Sequence, residues 1–263
     1  MRSLIRNKDG VFLREMAQVL AEDPRSGARA LSRRIAAEMD EFRNEARRLK
    51  ERYAFERSLR KEGIEFIAGI DEAGRGCLAG PVAAAAVMLE PHAVIYGLDD
   101  SKKMTPRARV LAFQEICKKA VSIAVSLVPA DYIDVHNIAV ATFEAMKRSV
   151  SALSVVPQML LVDGFYIPGM GVPQRAIKGG DRLSNSIAAA SVVAKVFRDR
   201  YMEIMERIYP GYGFAENKGY ATKEHVRAII ALGLCEIHRK TFCATVLNKT
   251  RNAAADTLLE EGE

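Results

Sequence analysis

The segment Gly69-Ile70-Asp71-Glu72-Ala73-Gly74-Arg75-Gly76 decides how the rest of the chain folds around it. It closes a short apolar run that starts at Glu65 and has the length and composition of a buried strand. Two acids stand at the end of this run, and Gly-Arg-Gly follows them. Glycine allows close approach of a ligand to the backbone, and arginine can bind a phosphate through two parallel hydrogen bonds. The segment therefore predicts a strand whose carboxyl end carries acidic and phosphate-binding groups.

Strands and helices alternate after this segment. Apolar runs predict further strands over 82–89, 121–128, 159–162 and 174–178. Helical periodicity predicts helices over 106–119, 131–151, 187–209 and 221–232. The first two strands follow each other closely, as the strands of a hairpin do. This order favours an α/β fold, in which helices flank a mixed β-sheet.

The first quarter of the chain differs from the rest in charge and in periodicity. Residues 1–62 hold 16 Lys and Arg against 11 Asp and Glu, a balance of +5, whereas residues 63–263 hold 23 against 22. Helical spacing of apolar residues predicts about two helices over 12–62. We therefore expect a basic helical N-terminal extension over 1–62, an α/β domain over 63–250 and a frayed acidic tail over 251–263. A basic extension suits a nucleic-acid partner, but a solvated Arg-rich helix face would show the same charge.

Composition excludes several classes of protein. The chain is 49% hydrophobic and 27% charged, which is typical of a globular protein and not of a disordered one. No apolar run approaches the ~20 residues that span a bilayer, and the first residues lack the apolar core of a signal peptide. The four cysteines are widely spaced without a C-x-x-C pair, which disfavours zinc binding and suits a reducing compartment. We expect a cytoplasmic protein without a membrane anchor.

Acids end two of the predicted strands, Asp71-Glu72 the first and Asp163 the fourth. Ligands of open α/β sheets gather beyond the carboxyl ends of the strands. Carboxylates bind Mg²⁺ together with phosphate oxygens, and two such ions can clamp a phosphodiester during hydrolysis. Acids at strand ends also cap turns and helix N-termini. The strand-end acids by themselves leave both interpretations open.

Further segments in a fixed order make the chain similar to a known family. They are Asp100-Ser101-Lys102-Lys103, Val162-Asp163-Gly164, Gly180-Asp181, the run Ser186 to Ser191, Lys218-Gly219-Tyr220, and the run His238 to Phe242. Together with residues 71–82, they resemble the type 2 ribonucleases H, specifically bacterial ribonuclease HII, over about 64–245. The resemblance implies a ribonuclease H-like mixed sheet flanked by helices, with a helical N-terminal extension and a helical C-terminal part. It makes 63–250 the catalytic domain.

The resemblance also implies roles for individual residues. The catalytic and metal-binding residues would be Asp71, Glu72, Asp163 and Asp181, which would hold two divalent ions, Mn²⁺ or Mg²⁺. The substrate-binding residues would be Gly74, Arg75, Gly76, Lys102, Lys103, Ser191 and Tyr220. Among these, the Gly-Arg-Gly residues and the tyrosine would contact the ribose at its 2′-hydroxyl, the group that distinguishes RNA from DNA at one nucleotide. Lys102, Lys103 and Ser191 would contact phosphates.

The implied activity is endonucleolytic hydrolysis of the RNA strand of RNA–DNA hybrids. Duplex DNA would also be nicked on the 5′ side of a single embedded ribonucleotide, leaving a 5′-phosphate and a 3′-hydroxyl. Such an enzyme would serve ribonucleotide removal in DNA repair and primer processing in DNA replication. We expect a monomer whose partners are RNA–DNA hybrid and ribonucleotide-containing duplex DNA.

Three alternatives differ in testable features. A ribonuclease HIII-like nuclease acting only on hybrids would typically carry Lys in place of Arg75 and a β-containing N-terminal domain. A non-catalytic hybrid-binding protein would lack the metal-binding acids, and all four are present. Integrases and exonucleases of the same fold class lack the combination of Gly-Arg-Gly with Lys-Gly-Tyr. The sequence therefore favours the ribonuclease HII-like interpretation.

Overall fold

The structure is a computed structural model that describes residues 10–248, so the acidic tail expected over 251–263 lies outside the described residues. The chain divides into two compact units, Met1–Arg52 and Tyr53–Glu263. Among residues 10–248, no helix combines the length and apolar character needed to cross a membrane.

The first unit contains two helices, α1 (Gly10–Glu22) and α2 (Ser26–Arg52). An apolar cluster holds the pair together and includes Leu13 of α1 and Ile35 of α2. Near this cluster, the Ser32 hydroxyl donates a hydrogen bond of 2.6 Å to the carbonyl of Ala17. The helical N-terminal extension is thus confirmed.

A third helix, α3 (Ala54–Lys61), belongs to the second unit. Three helices therefore occupy the region for which about two were predicted. Leu59 of α3 packs into the same apolar cluster as Ile67, Leu161 and Ile187. The two compact units consequently meet in the chain at Arg52/Tyr53. The expected domain bounds, 1–62 and 63–250, stay a prediction. The expected boundary rested on the charge balance. Net charge carries no information about packing, so it could not show that α3 packs against the sheet.

The second unit is built on a five-stranded mixed sheet of order β3-β2-β1-β4-β5. Neighbouring strands are antiparallel in the pairs β1–β2 and β2–β3, and parallel in the pairs β1–β4 and β4–β5. The strands are β1 (Ile67–Ala73), β2 (Val82–Leu89), β3 (Ala120–Val128), β4 (Met159–Asp163) and β5 (Gln174–Ile177). The predicted α/β fold with an initial hairpin is confirmed.

Helices flank this sheet. They are α4 (Pro106–Lys119), α5 (Ala130–Ser151), α6 (Asn185–Ile208), α7 (Phe214–Asn217) and α8 (Lys223–Leu232), and residues 240–248 are also helical. On one face of the sheet, Ile70 and Val162 pack in a core with Ala141 and Met146 of α5. The other face carries α6, because Ile187 of that helix joins the cluster that contains Leu161.

The first strand is longer at its carboxyl end than the sequence suggested. Asp71 and Glu72 lie inside β1, opposite Ala85 and Ala84 of β2, and pairing continues to Ala73. The predicted end of the strand at Asp71-Glu72 thus lies one residue before the observed end at Ala73. The antiparallel partner extends the strand through the polar residues because every backbone group there finds a partner in the ladder.

Gly69 lies where α6 crosses β1. A Cβ atom at this position would lie 2.0 Å from the carbonyl carbon of Ser186 and 2.3 Å from the nitrogen of Ile187. The backbone of the first turn of α6 thus rests directly on the strand, which only glycine permits. Because Asp181 precedes α6 and Ser191 lies within it, this contact sets how close both residues come to Asp71.

We predict that Gly69→Ala lowers the free energy of unfolding by about 3 kcal/mol or more, because backbone on both elements must move to admit the methyl group. Urea denaturation measures this change. Gly171→Ala is the matched control: nothing lies within 4 Å of its Cβ, so the change should stay within about 0.5 kcal/mol. Equal stabilities for the two variants would contradict the close contact.

Candidate active site

The sheet register brings two acids side by side. Ile70 of β1 pairs with Val162 of β4 in parallel, and Asp71 and Asp163 are the next residues on these neighbouring strands. Neighbouring strands lie ~4.8 Å apart, and side chains alternate between the two faces. Since Ile70 and Val162 face α5, both aspartates project to the opposite face, where α6 lies.

Two serines support Asp71, whose side chain is buried. The carboxylate accepts a hydrogen bond from the Ser191 hydroxyl, and the Ser191 Oγ lies 2.8 Å from the Ser101 Oγ. The same carboxylate accepts the backbone N–H of Glu72 at 2.7 Å. Ser191 itself is 4% exposed, so its hydroxyl points inward to these partners. Its contact with a phosphate stays a prediction.

The loop between β5 and α6 brings the fourth acid to the same edge. Asp181 lies in a single 3-10 turn, Gly180–Arg182, and is nearly buried. The N–H of Gly180 donates a 2.7 Å hydrogen bond to Oδ1 of Asp163, which ties this turn to the end of β4. A Cβ atom at Gly180 would lie 2.5 Å from Cδ1 of Ile187, so the turn also packs closely on α6.

The acids repel one another in a partly dry environment. Burial raises the pKa of Asp71 well above its usual range, and the charges of Glu72 and Asp163 raise it further. Burial also raises the pKa of Glu72, with Asp163 adding to the effect and Arg75 opposing it. Burial, Asp100 and Asp163 raise the pKa of Asp181. The edge therefore carries more negative charge than its protein neighbours neutralise.

The donor set fits a hard divalent cation. The Oε2 atom of Glu72 is buried and has no hydrogen-bond partner among the described residues. Carboxylate oxygens are the ligands that Mg²⁺ and Mn²⁺ prefer, and a cation would relieve the repulsion. Within residues 10–248, no three His, Cys, Asp or Glu side chains form a group that could hold an ion as they stand. The acids share one edge of the sheet without forming a closed coordination cage.

Two buried arginines hold the Gly-Arg-Gly loop from behind. Arg239 donates from Nη2 to the carbonyl of Gly74 at 2.7 Å, from Nη1 to that of Arg75 at 2.8 Å, and from Nε to that of Gly80 at 3.0 Å. Its side chain is fully buried, and burial lowers its pKa to about 10. The guanidinium therefore stays charged at neutral pH while its hydrogen bonds go to neutral carbonyls.

Arg198 of α6 binds the next part of the same loop. Its guanidinium, also fully buried, donates to the carbonyls of Pro81 at 2.9 Å, Ala79 at 3.0 Å and Lys218 at 2.8 Å. Gly74 has a φ of +89°, and a Cβ there would lie 1.8 Å from Nε of Arg198. Glycine at 74 is thus required both by the backbone conformation and by the buried side chain behind it.

Tyr220 stands beside this loop with 40% of its surface exposed. The ammonium group of Lys195 lies 5.5 Å from the centre of the tyrosine ring, and the guanidinium carbon of Arg198 lies 5.8 Å from it. A hydrogen bond also joins the tyrosine side chain to the thiol of Cys77. Cys77, the residue after Gly-Arg-Gly, thus contacts Tyr220, which the family resemblance assigns to the same substrate-binding site as the Gly-Arg-Gly loop.

The predicted basic residues differ in how close they come to the acids. Arg75 is exposed, with Nη1 3.5 Å from Oε1 of Glu72 and its guanidinium carbon 5.2 Å from the ring centre of Phe165. Lys102 lowers the pKa of both Glu72 and Asp181, so it faces the acidic edge. Lys103 is also exposed, and no interaction with an acid of the edge is found for it among the described residues.

Sequence reasoning assigned no role to Asp100, Arg198 or Arg239. A signal existed for Arg198, because it follows Ser191 by seven residues and so occupies the same buried face of α6. Asp100 is buried, accepts the N–H of Lys102 at 3.0 Å and faces Asp181. Nothing in the local pattern around Arg239 indicates burial, because Gly74, Arg75 and Gly80, whose carbonyls it binds, lie far away in the chain.

Solved structures with this fold include two archaeal proteins. The ribonuclease H2 of Pyrococcus horikoshii is 25% identical with a TM-score of 0.59, and the match covers 70% of this chain and 98% of that one. The ribonuclease HII of Archaeoglobus fulgidus, solved in a complex with PCNA, is 26% identical with a TM-score of 0.57, over 66% and 94% of the two chains. The ribonuclease H fold class is thereby shown.

Sequence comparison narrows the class to one family. The family model described as ribonuclease HII matches residues 68–245. The chain is 50% identical over 195 residues to the ribonuclease HII of Caldicellulosiruptor saccharolyticus, covering 74% of this chain and 95% of the relative. It is 47% identical over 225 residues to that of Geobacillus thermodenitrificans, covering 86% of each. The chain belongs to the ribonuclease HII family, which makes it a metal-dependent endonuclease and confirms the resemblance seen in the sequence.

We predict that Arg239→Lys lowers the free energy of unfolding by about 2 kcal/mol or more, since one ammonium group cannot reach all three carbonyls in the geometry of the planar fork. Urea denaturation again provides the measurement. Arg200→Lys is the control, because Arg200 is exposed and forms a surface ion pair of 3.2 Å with Glu203. That change should cost less than about 0.5 kcal/mol. Similar losses in both variants would contradict a special role for the buried fork.

Proposed function

We propose that this protein hydrolyses the RNA strand of RNA–DNA hybrids and nicks duplex DNA on the 5′ side of a single embedded ribonucleotide. The products would be a 5′-phosphate and a 3′-hydroxyl. One observation carries the proposal: the four-acid edge of the sheet lies beside a Gly-Arg-Gly loop that buried arginines fix in place. Membership of the ribonuclease HII family supports it, because the family cleaves the RNA of RNA–DNA hybrids.

The acids would hold two divalent ions, Mn²⁺ or Mg²⁺, through Asp71, Glu72, Asp163 and Asp181. Divalent ions would supply a nucleophilic water at neutral pH and neutralise charge on the phosphodiester. The protein contributes a rigid edge: strand pairing holds Asp71 and Asp163, and the Gly180 N–H holds the turn that carries Asp181. Ser191 and Ser101 would keep the Asp71 carboxylate in one orientation.

The Gly-Arg-Gly loop would read the ribose through its backbone. The carbonyls of Gly74 and Arg75 point to Arg239, and in trans peptides the next N–H points the opposite way. The N–H groups of Arg75 and Gly76 therefore face away from the arginine, and neither has a protein acceptor among the described residues. Such donors suit a 2′-hydroxyl oxygen or a phosphate. A Cβ at Gly76 would meet no atom within 4 Å, which leaves room for a nucleotide.

The exposed ring of Tyr220 would pack on the ribose selected by the loop. Arg75, Lys102 and Lys103 would bind phosphates, together with Ser191 if its hydroxyl turns outward. We place the enzyme in the cytoplasm, in ribonucleotide removal and primer processing, since all four cysteines are free and the expected substrates are nucleic acids. A monomer suffices for this mechanism, because every proposed site residue comes from one chain.

A hybrid-only nuclease is the competing function. Arg75 and the helical first unit favour the ability to act at a single ribonucleotide, as the family pattern implies. Both functions share the acidic edge and its metal requirement. Only the choice of substrate separates them, so the decisive experiment varies the number of consecutive ribonucleotides.

We predict metal-dependent nicking of a labelled DNA duplex that carries one ribonucleotide. Cleavage should occur on the 5′ side of the ribonucleotide with Mg²⁺ or Mn²⁺ and stop with EDTA. An all-DNA duplex of the same sequence is the control and should stay intact, because it lacks the 2′-hydroxyl. Cleavage of continuous hybrid alone would indicate the hybrid-only function. Binding without any cleavage would indicate a non-catalytic hybrid-binding protein.

We predict that Asp71→Asn lowers the cleavage rate by more than about a hundredfold, because the metal site loses a negatively charged ligand. Folding should not suffer. A carboxyl group whose pKa is raised on folding destabilises the fold at pH values above that pKa, so a neutral amide removes the cost. Urea denaturation should therefore give an equal or higher free energy of unfolding. Asp131→Asn, an exposed site in the first turn of α5, is the control and should keep full activity.

A further inference from the structure

Two histidines in the second unit face each other in a nearly dry environment. His225 of α8 and His238, just before the helical residues 240–248, are 0% and 2% exposed. Their Nε2 atoms lie 3.2 Å apart. The rings of Tyr212 and Phe214 pack around His238, with ring centres 4.9 Å and 5.6 Å away. None of these groups belongs to the acidic edge.

The contacts at the outer nitrogens determine where the protons lie. The backbone N–H of Cys235 donates to Nδ1 of His238 at 3.0 Å, so this nitrogen must carry a lone pair. The proton of neutral His238 is then on Nε2, which donates to His225. Nε2 of His225 is therefore the acceptor, and its own proton is on Nδ1, 2.8 Å from the carbonyl of Tyr220. Burial lowers the pKa of both imidazoles, that of His238 to about 4, which agrees with two neutral rings.

We propose that His225 and His238 form a relay, meaning a chain of hydrogen bonds that runs from the Cys235 N–H through the two imidazoles to the Tyr220 carbonyl. Each imidazole has one fixed tautomer in this relay, and His225 is a positioning residue for Tyr220. The proposal rests on the proposed function only in the role given to the tyrosine ring. The relay itself is a feature of the folded protein and can be measured without any substrate.

At its Tyr220 end, the relay supplies one of the hydrogen bonds that hold the segment 218–220 in place. Three successive carbonyls are bound: that of Lys218 by Arg198, that of Gly219 by the Leu78 N–H at 2.7 Å, and that of Tyr220 by His225. The Thr222 N–H also donates to the Tyr220 carbonyl at 2.8 Å. Without the histidine, only this local turn bond would hold the last carbonyl.

The other end of the relay is tied to the loop that follows Gly-Arg-Gly. His238 forms an isolated β-bridge with Ala79, and the neighbouring Arg239 N–H donates to the Leu78 carbonyl at 2.7 Å. The two imidazoles therefore span from the Leu78–Ala79 loop to the tyrosine. The relay therefore adds a second connection between this loop and Tyr220, beside the direct hydrogen bond from the Leu78 N–H to the Gly219 carbonyl.

The first test is the tautomeric state of each imidazole in the wild-type protein, measured by long-range ¹H–¹⁵N correlation NMR at pH 7.5. We expect a protonated Nε2 in His238 and a protonated Nδ1 in His225, which is the less common form of a free imidazole. His92 and His136 are exposed and serve as internal references. A protonated Nε2 in His225, or a positive charge on either ring of the pair, would overturn the relay whether or not the protein cleaves RNA.

The second test asks whether the relay positions Tyr220. His225→Phe keeps a ring against Phe214 but removes the Nδ1 donor. His225→Asn restores an N–H at the position of Nδ1, because the nitrogen is bonded to Cγ in both side chains. On the single-ribonucleotide duplex, the Phe variant should raise KM about three- to tenfold, the loss expected for one hydrogen bond, with kcat changing less. The Asn variant should recover most of the loss, and His136→Phe should match the wild type.

A double-mutant cycle with Tyr220→Ala completes the second test. If His225 acts through Tyr220, the Phe substitution should have little further effect once the tyrosine ring is gone. Full additivity of the two losses, or an equal loss in the Phe and Asn variants, would overturn the positioning role. If the wild type cleaves no ribonucleotide substrate, the proposed function fails, and the NMR result still decides whether the relay exists.

Discussion

Six hydrogen bonds from two buried guanidinium groups hold the centre of this structure together. Arg198 and Arg239 donate only to backbone carbonyls, and five of these six lie between Gly74 and Pro81. Burying a charge costs several kcal/mol, and only a full set of charge-assisted hydrogen bonds offsets it. The loop therefore has one low-energy arrangement, and its free N–H groups face outward as a consequence.

At the acidic edge, by contrast, the charged groups lie close to groups of the same charge and repel one another. Strand register and the tight contact at Gly69 force Asp71, Asp163 and Asp181 toward one another, although burial and the charge of Asp163 raise the pKa of both Asp71 and Asp181. The fold thus contains a cluster of carboxylates that costs stability at neutral pH and that a cation would relieve. Stability lost at a functional edge is compatible with a stable protein because apolar cores pack on both faces of the sheet.

Sequence reasoning went furthest where residues that act together are close in the chain. The Asp71-Glu72 pair and the Gly-Arg-Gly turn share one segment, so their proximity needed no fold. It ended β1 one residue early, at Glu72 and not at Ala73, because the last pair of the strand depends on its partner β2. The packing of α3 was out of reach for a similar reason, because Leu59 packs on residues far along the chain.

Composition, periodicity and motif spacing determined the α/β class, the helical N-terminal extension and the family to which the chain belongs. These properties depend on local patterns of polarity and on short segments in a fixed order. Only the tertiary structure showed that Ser191 turns inward to Asp71, that Arg198 and Arg239 support the loop, and that Nδ1 of His225 lies within hydrogen-bond distance of the Tyr220 carbonyl. The physical reason is that each of these contacts joins groups from different elements of the fold. No property of either residue alone indicates whether a buried partner will be present.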